Sequence, residues 1–278
     1  MKVDLHTHSC VSDGTLSPSE LVERAANHGV DMLALTDHDE LSGLKEAARA
    51  AVQKGIRFIP GVEVSAVFGM DESIHIVGLG VDTGNKVLRS GLEKIRQGRA
   101  LRAARMGKAL AWLGIGDVYE GAKRFARNPE LVNRAHFARY LVSKKVMPDI
   151  GTVFQHYLVP GKPGYVEHEW VSVNEAVSWI RAAGGIAVLA HPGRYRRLSS
   201  DDMSALLDTF IISGGEAIEV VSSAHGQEEI SRFSGIARRL NLMASVGSDF
   251  HCERESRVDI GHCAPLPPGL EPVWSRLT

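Results

Sequence analysis

Apolar residues in the first third of the chain come as short unbroken runs, KVDLH, MLALT and RFIPGVE, separated by stretches in which they recur every three or four positions. The runs suit buried strands, and the stretches SPSELVERAANHG and SGLKEAARAAVQKG have helical period. Each stretch ends at a glycine, Gly29 or Gly55, which suits a helix C-terminus. The first opens on Ser17, with Pro18 at the first helical position and Glu20 at the third, the pattern of a capping box. Strand and helix alternate, so a parallel sheet is predicted.

The alternation returns late in the chain. SVNEAVSWIRAAGG, SALLDTFIISGG and EEISRFSGIARRLN read as helices, and AVLAH, AIEVV and LMASVGSD as strands. The middle differs: between Lys86 and Lys145 Arg, Lys and Ala dominate with little strand character, and VMPDIGTVFQHYLVPGKPGYV then returns through Pro and Gly. Residues 99–164 are therefore read as a helical insertion into one discontinuous α/β domain, residues 1–98 and 165–278. VEVSAVFGMDESIHIVGLGV reads as an antiparallel hairpin turning near Gly69 to Ser73.

Composition narrows the function classes. The 278 residues, 44% hydrophobic and 23% charged, suffice for one sizeable core. A formal net charge of −1 argues against a surface coated for duplex nucleic acid, so an anionic substrate must be caught in a local pocket. Three cysteines, Cys10, Cys252 and Cys263, make no disulfide framework and point to a reducing compartment. The N-terminus reads as strand, and no apolar run approaches the roughly 20 residues of a membrane span. A soluble, cytoplasmic protein with no membrane partner is expected.

The chemistry lies where the apolar runs end. His6 and His8 of HTH share one strand face, so two imidazoles converge. MLALT runs into Asp37, His38 and Asp39; FIPGV into Glu63; AVLA into His191; LMASVGS into Asp249 and His251. In parallel α/β folds the carboxyl ends of strands gather on one rim, which brings these groups together. Singly, each suits a cap or a solvated loop residue; jointly, and with Asp13 and His75, they predict a metal site. His75 stands at the beginning of its run, and the hairpin alone does not place it beside Glu63. Asp37 and Asp39 read either as orienting His38 or as loop caps. Cys10 and Cys252 read as packed thiols, since neither has an assignable base.

Arg96, Arg99, Arg102 and Arg105 recur three apart, each step turning about −60° around a helix, so they cannot all hold one phosphate. Adjacent members such as Arg99 and Arg102 can. Arg194, just after His191, is a further candidate, because a planar guanidinium donates two parallel hydrogen bonds to phosphate.

In order along the chain, HTHSCVSDGTLSP, LALTDHDELSG, GVEVS, HIVGLG, AHPGRY and GSDFH resemble the motifs of the PHP family, named for polymerase and histidinol phosphatase domains. GRALRAARM, NRAHFARYLV and YLVPGKPGYV are similar to the bacterial 3′,5′-nucleoside bisphosphate phosphatases of that family. The resemblance implies an α/β fold, a distorted (β/α)7 barrel of the PHP type with a helical insertion. It also implies about three divalent ions, manganese first and zinc, iron or magnesium as alternatives. His6, His8, Glu63 and Asp249 would bind the first ion, Glu63, His75 and His191 the second, and Asp13, His38 and His251 the third. Asp13, a position where the family commonly has His or Asp, is also carried over as catalytic, with His38, Glu63, His191 and Asp249. Substrate contacts would come from Arg99, Arg102, Arg134, His136 and Arg194.

The implied reaction removes the 3′-phosphate from a nucleoside 3′,5′-bisphosphate, leaving the 5′-monophosphate, and extends to trimming short single-stranded RNA from its 5′ end. No obligate protein partner is indicated. Charge supports phosphate chemistry: about three divalent ions bring about +6 against about −3 from Asp13, Glu63 and Asp249, and activated water serves as nucleophile. The rivals are another phosphomonoesterase such as a histidinol phosphatase, an amidohydrolase-like metal hydrolase, and a nucleotide sensor whose metals are structural.

Overall fold

The computed structural model describes residues 1–69, 72–126, 128–167 and 170–277. Strand and helix alternate as β1 (Val3–Asp4), α1 (Pro18–Asn27), β2 (Met32–Leu35), α2 (Leu44–Lys54) and β3 (Arg57–Phe68). β4 (Glu72–Leu79) follows, then the helices α3 (Lys86–Ala111), α4 (Val118–Lys123), α5 (Arg134–Ser143) and α6 (Ile150–Val153). The alternation resumes with β5 (Val171–Ser172), α7 (Val173–Ala182), β6 (Ile186–Leu189), α8 (Ser200–Ile212), β7 (Ala217–Ser222), α9 (Gln227–Leu240) and β8 (Met243–Gly247).

The sheet runs β1-β2-β3-β4-β6-β7-β8, with β5 paired to β3 outside that path. Its ends approach one another: Leu5 N donates to Val246 O (2.9 Å) and His8 N to Phe250 O (2.9 Å). The result is a nearly closed barrel of seven strands among the described residues, the expected distorted (β/α)7 architecture. The distortion is β4, antiparallel to both β3 and β6. Only residues 69–71 separate β3 from β4, too few for the crossover that a parallel neighbour needs. The expected hairpin is present, although residues 70 and 71 at its tip lie outside the described residues.

The local rules hold at the helix ends. Ser17 N donates to Glu20 Oε2 (2.8 Å) while Glu20 N donates to Ser17 Oγ (3.3 Å), closing the capping box. Gly55 ends α2 at φ 71°, a left-handed geometry that costs a residue without Cβ little.

Val3, Leu5, Met32, Ile59, Leu79 and Val188 belong to one buried cluster inside the barrel. On β3 the alternation continues from Ile59 through Gly61 to Glu63 and Ser65, so Glu63 also faces inward. The outer faces pack against helices, with Val62 and Val64 clustered with Leu88, Leu92 and Ile95 of α3. Further along this helix of 26 residues, Ala103, Met106 and Leu110 join a separate cluster with Val118, Phe137 and Leu141 of α4 and α5. One continuous helix thus packs on the barrel at its start and against α4 and α5 at its end. Among the described residues no helix is long and apolar enough to cross a membrane.

At the barrel seam, a Cβ on Gly247 would lie 2.2 Å from Cβ of His6. Gly247→Ala is therefore expected to destabilise the fold by about 1–3 kcal/mol through overpacking. Urea unfolding is the check, and an unchanged midpoint would show that the seam gives way freely.

Candidate metal centre

β1 leads into the His-Thr-His segment, where Thr7 Oγ1 donates to Ala34 O (2.7 Å) and Thr7 N to Thr36 Oγ1 (3.1 Å). Tying Thr7 to the β2 side leaves the neighbouring imidazoles to aim elsewhere, and their Nε2 atoms stand 3.1 Å apart. His38 follows β2, His191 follows β6, and Asp249 and His251 follow β8, on the same rim. Asp39, His191 and Asp249 adopt positive φ (53°, 28° and 52°). Each such conformation costs of order 1–3 kcal/mol, and all three fall where the strands hand over to the site.

Glu63 is wholly buried at the middle of the cluster. Its Oε2 lies 3.2 Å from His6 Nε2, 3.1 Å from His8 Nε2 and 3.0 Å from His38 Nδ1. Its Oε1 lies 2.7 Å from His75 Nδ1 and 3.0 Å from His191 Nε2. The hairpin register explains His75: Ser65 pairs with His75, two residues along the same inward face as Glu63.

Asp249 Oδ1 closes the first expected set, 3.6 Å from His6 Nε2 and 3.2 Å from His8 Nε2. In the third set, Asp13 Oδ1 lies 3.3 Å from His251 Nε2 and Asp13 Oδ2 lies 3.9 Å from His38 Nε2. The sets overlap: donor atoms of His8 gather with Asp13, His38 and His251 as well as with His6, Glu63 and Asp249, and those of His38 with Glu63 and His75. These clusters are metal-competent by donor type and spacing. Among the described residues, the buried His8 Nδ1, His38 Nδ1, His191 Nδ1 and Glu63 Oε2 have no hydrogen-bond partner, as coordinating atoms would.

Burial disfavours charge on Glu63, Asp249, His8 and His191, and their neighbours decide the outcome for each. Burial opposes ionisation of Glu63, but His38, His6 and His75 outweigh it and keep its carboxyl well below the usual range. Asp249 is held down likewise, against burial, by Arg194, His6 and His251. Burial alone would depress His8; the carboxylates of Asp249 and Glu63 beside it override this and raise the imidazole to about 10. His191 goes the other way, lowered to about 4 by burial and then by Arg194.

Several supporting residues were not singled out from the sequence. Glu219 on β7 lies 2.6 Å through Oε1 from His6 Nδ1, and its Oε2 accepts from His191 N (2.6 Å). The one acidic residue of AIEVV was the available sign. Asn133, the N-cap of α5, donates from Nδ2 to Asp13 Oδ2 (2.8 Å), and Arg139 donates to Asp13 O (2.8 Å). Asp37 and Asp39 make no hydrogen bond to His38 among the described residues. Asp37 accepts from Ser9 Oγ and Ser12 Oγ (2.6 Å each), pinning the loop that carries Asp13. Asp39 accepts from Ser65 N (2.8 Å) and pairs with Arg99 (2.6 Å). Burial raises the Cys252 thiol, which suits a packed residue rather than a nucleophile.

The arginine row divides. Arg96 donates to Asp39 O (2.8 Å), and Arg99 binds Asp39 and Ser65 Oγ (2.6 Å) while stacking over Trp170. Arg102, Arg105 and Arg134 line a cavity of about 820 Å³ with Lys94, Tyr165 and Trp170. Burial, reinforced by Arg134 and Arg99, lowers Arg102 to about 9. His136 is buried, its Nδ1 accepting from Asn133 N (3.1 Å) in the α5 capping box. Arg194 pairs with Asp249, on a turn held by Gly193 N donating to His225 Nε2 (3.0 Å).

Imidazoles and carboxylates gathered on the strand-end rim of a distorted parallel barrel define the class: an α/β barrel with a metal-competent centre. The PHP domain family model matches residues 4–88. A 3′,5′-nucleoside bisphosphate phosphatase of Chromobacterium violaceum is 48% identical over 275 residues, 99% of this chain and 96% of that one. The chain belongs to the PHP family. A 5′-3′ exoribonuclease of Haemophilus influenzae is 39% identical over 275 residues, 99% of this chain and 98% of its own. A solved structure described as an amidohydrolase from C. violaceum, with bound sulfate and no metal, is 48% identical. It covers 100% of this chain and 96% of its own at a TM-score of 0.95.

Two outcomes are expected. A divalent cation entering between His6 and His8 competes with protons that the raised pKa of His8 keeps there at neutral pH, so binding releases protons and tightens as pH rises. Calorimetry in buffers of different ionisation enthalpy is the check; buffer-independent heats would contradict it. Glu219→Gln should weaken metal affinity by about 10–100-fold, since it orients His6 without belonging to the expected donor sets.

Proposed function

We propose that the protein is a metal-dependent phosphoric monoester hydrolase. It removes the 3′-phosphate of nucleoside 3′,5′-bisphosphates to give the 5′-monophosphate, and it trims short RNA from the 5′ end. The observation that carries this reading is the pairing of the metal-competent cluster with a cationic cavity beside it. Glu63 and His75 sit on the β3–β4 ladder, and Val67 and Ser73, which pair with each other further along it, line the cavity. The step from the Ser65–His75 pair to the Val67–Ser73 pair is about 7 Å, two residues of strand.

Arg102 and Arg134 hold the 5′-phosphate. Their mutual repulsion in a buried setting is relieved by a dianion, and Tyr165 and Trp170 offer aromatic faces to the base. Arg99, its own charge paired with Asp39, stands behind Arg102, and His136 fixes the first turn of α5, which presents Arg134. Both Arg102 and Arg134 come from the insertion, residues 99–164.

The scissile phosphate lies over the cluster. His6, His8, Glu63 and Asp249 form one donor set, Glu63, His75 and His191 a second, Asp13, His38 and His251 a third, for about three divalent cations with manganese the first candidate. When bound, such ions neutralise phosphoryl charge and supply a water of lowered pKa as nucleophile. Glu63 orients both flanks through its two oxygens, and Asp13 and His38 keep their part of the rim in register. Arg194 stands at the rim to receive a phosphoryl oxygen.

The experiment compares adenosine 3′,5′-bisphosphate with 5′-AMP and 3′-AMP, using chelated protein restored with Mn²⁺. Manganese-dependent, preferential formation of 5′-AMP is expected. Activity on amides with none on phosphate esters would instead favour the amidohydrolase reading. Arg102→Ala should lower kcat/KM for the bisphosphate by about 10–100-fold, the worth of a charge-assisted hydrogen bond, and 3′-AMP hydrolysis far less. An unchanged ratio would remove Arg102 from that role.

A further inference from the structure

A second cavity, of about 610 Å³, lies against the cluster on another side. Its lining includes Phe154, Arg194, Arg196, Asp249, His251 and Arg257. The size falls within the range of ligand clefts, about 300–1,000 Å³. It stands over the ends of β6, β7 and β8, whereas the cavity holding Arg102 stands over β3 and β4, a different arc of the barrel. The Arg134 guanidinium lies 5.8 Å from the Phe154 ring centroid, and this contact joins a residue of the first cavity to one of the second. Asp249 and His251 form part of the wall, so an occupant sits beside the reacting phosphorus.

The charges of this cleft are unbalanced. Glu255, its exposed acid, is taken by Arg139 in a two-pronged pair (2.9 and 2.7 Å). Arg194 pairs with Asp249. Arg196 and Arg257 are exposed and form no ion pair among the described residues. Two exposed guanidinium ions without a close ion pair, Arg196 with Glu229 only at longer range, thus edge a polar cleft that a mononucleotide bisphosphate does not need.

We propose that this second cavity is the subsite for the next nucleotide of a single-stranded RNA, with Arg196 and Arg257 reaching its phosphate and Phe154 offering a face to its base. The proposal rests on the phosphatase reading. In RNA the phosphorus over the cluster carries the 5′ oxygen of the following nucleotide in place of one terminal oxygen of the bisphosphate. The oxygen of water bonds to phosphorus, the bond from phosphorus to the 3′ oxygen breaks, and that oxygen takes a proton. The first nucleotide leaves as a nucleoside 5′-monophosphate, and the phosphate stays on the shortened chain as its new 5′ end. This end matches the one just removed, so the chain can advance from the second cavity into the first.

The test compares wild-type protein with an Arg196→Ala/Arg257→Ala double variant in the Mn²⁺-restored form, on adenosine 3′,5′-bisphosphate and on a 5′-phosphorylated tetraribonucleotide. Bisphosphate hydrolysis should be unchanged, which also reports correct folding, while kcat/KM for the oligonucleotide falls about tenfold or more. Its dependence on salt should become shallower, by about 0.7 in the log–log slope for each phosphate that the variant no longer neutralises. An equal fall on both substrates, no fall on the oligonucleotide, or wild-type protein that degrades no oligonucleotide would overturn the subsite. The phosphatase reading fails separately, on wild-type protein that releases no phosphate from the bisphosphate.

Discussion

A carboxylate with no access to water keeps its charge only where positive charge or polar N–H groups surround it. Glu63 meets this constraint through five imidazoles, three against one oxygen and two against the other. They come from the segments after β1, β2 and β6 and from β4, so the barrel must close for Glu63 to keep its charge. Glu219 and Asp249 extend the arrangement outward, the one behind His6 and the other between His6, His8 and Arg194. The site and the seam of the fold are therefore one electrostatic unit.

Much of this was legible in the chain because strand ends are legible. Apolar runs that stop at His6, His38, Glu63, His191 and Asp249 locate the rim once parallel strands are inferred. His75 was harder, since it begins its run; only the register that pairs it with Ser65 turns it toward Glu63. Asn133 and Arg139 carry no local sign of their role, because their partner Asp13 lies more than a hundred positions away and meets them only through folding of the insertion. Asp37 and Asp39, so close to His38 in sequence, hold the 9–12 loop and Arg99 instead. Neighbours along an irregular loop point in different directions, and their partners are set by what packs opposite.

The periodic arginines on α3 illustrate the same limit. A rotation of about −60° per step separates them on the helix, but not which partner each one meets. The structure gives Arg96 and Arg99 to the Asp39 loop and Arg102 to the cavity. The helix that carries them packs its first turns on the barrel and its last against α4 and α5, so a single rigid rod sets the distance between the cluster and the cationic cavity.

Asn133 gives the insertion a stake in the rim. Its Oδ1 accepts from Ala135 N at the start of α5 while its Nδ2 holds Asp13. Capping a helix and positioning an acid are thereby done by the two ends of one amide. Whatever tightens the hold on Asp13 also steadies the first turn of α5, and whatever frays that turn loosens Asp13, as reciprocal coupling requires. The first turn of α5 is thus expected to report on what the rim holds: hydrogen exchange at its amides should slow as the donor sets around Asp13 fill.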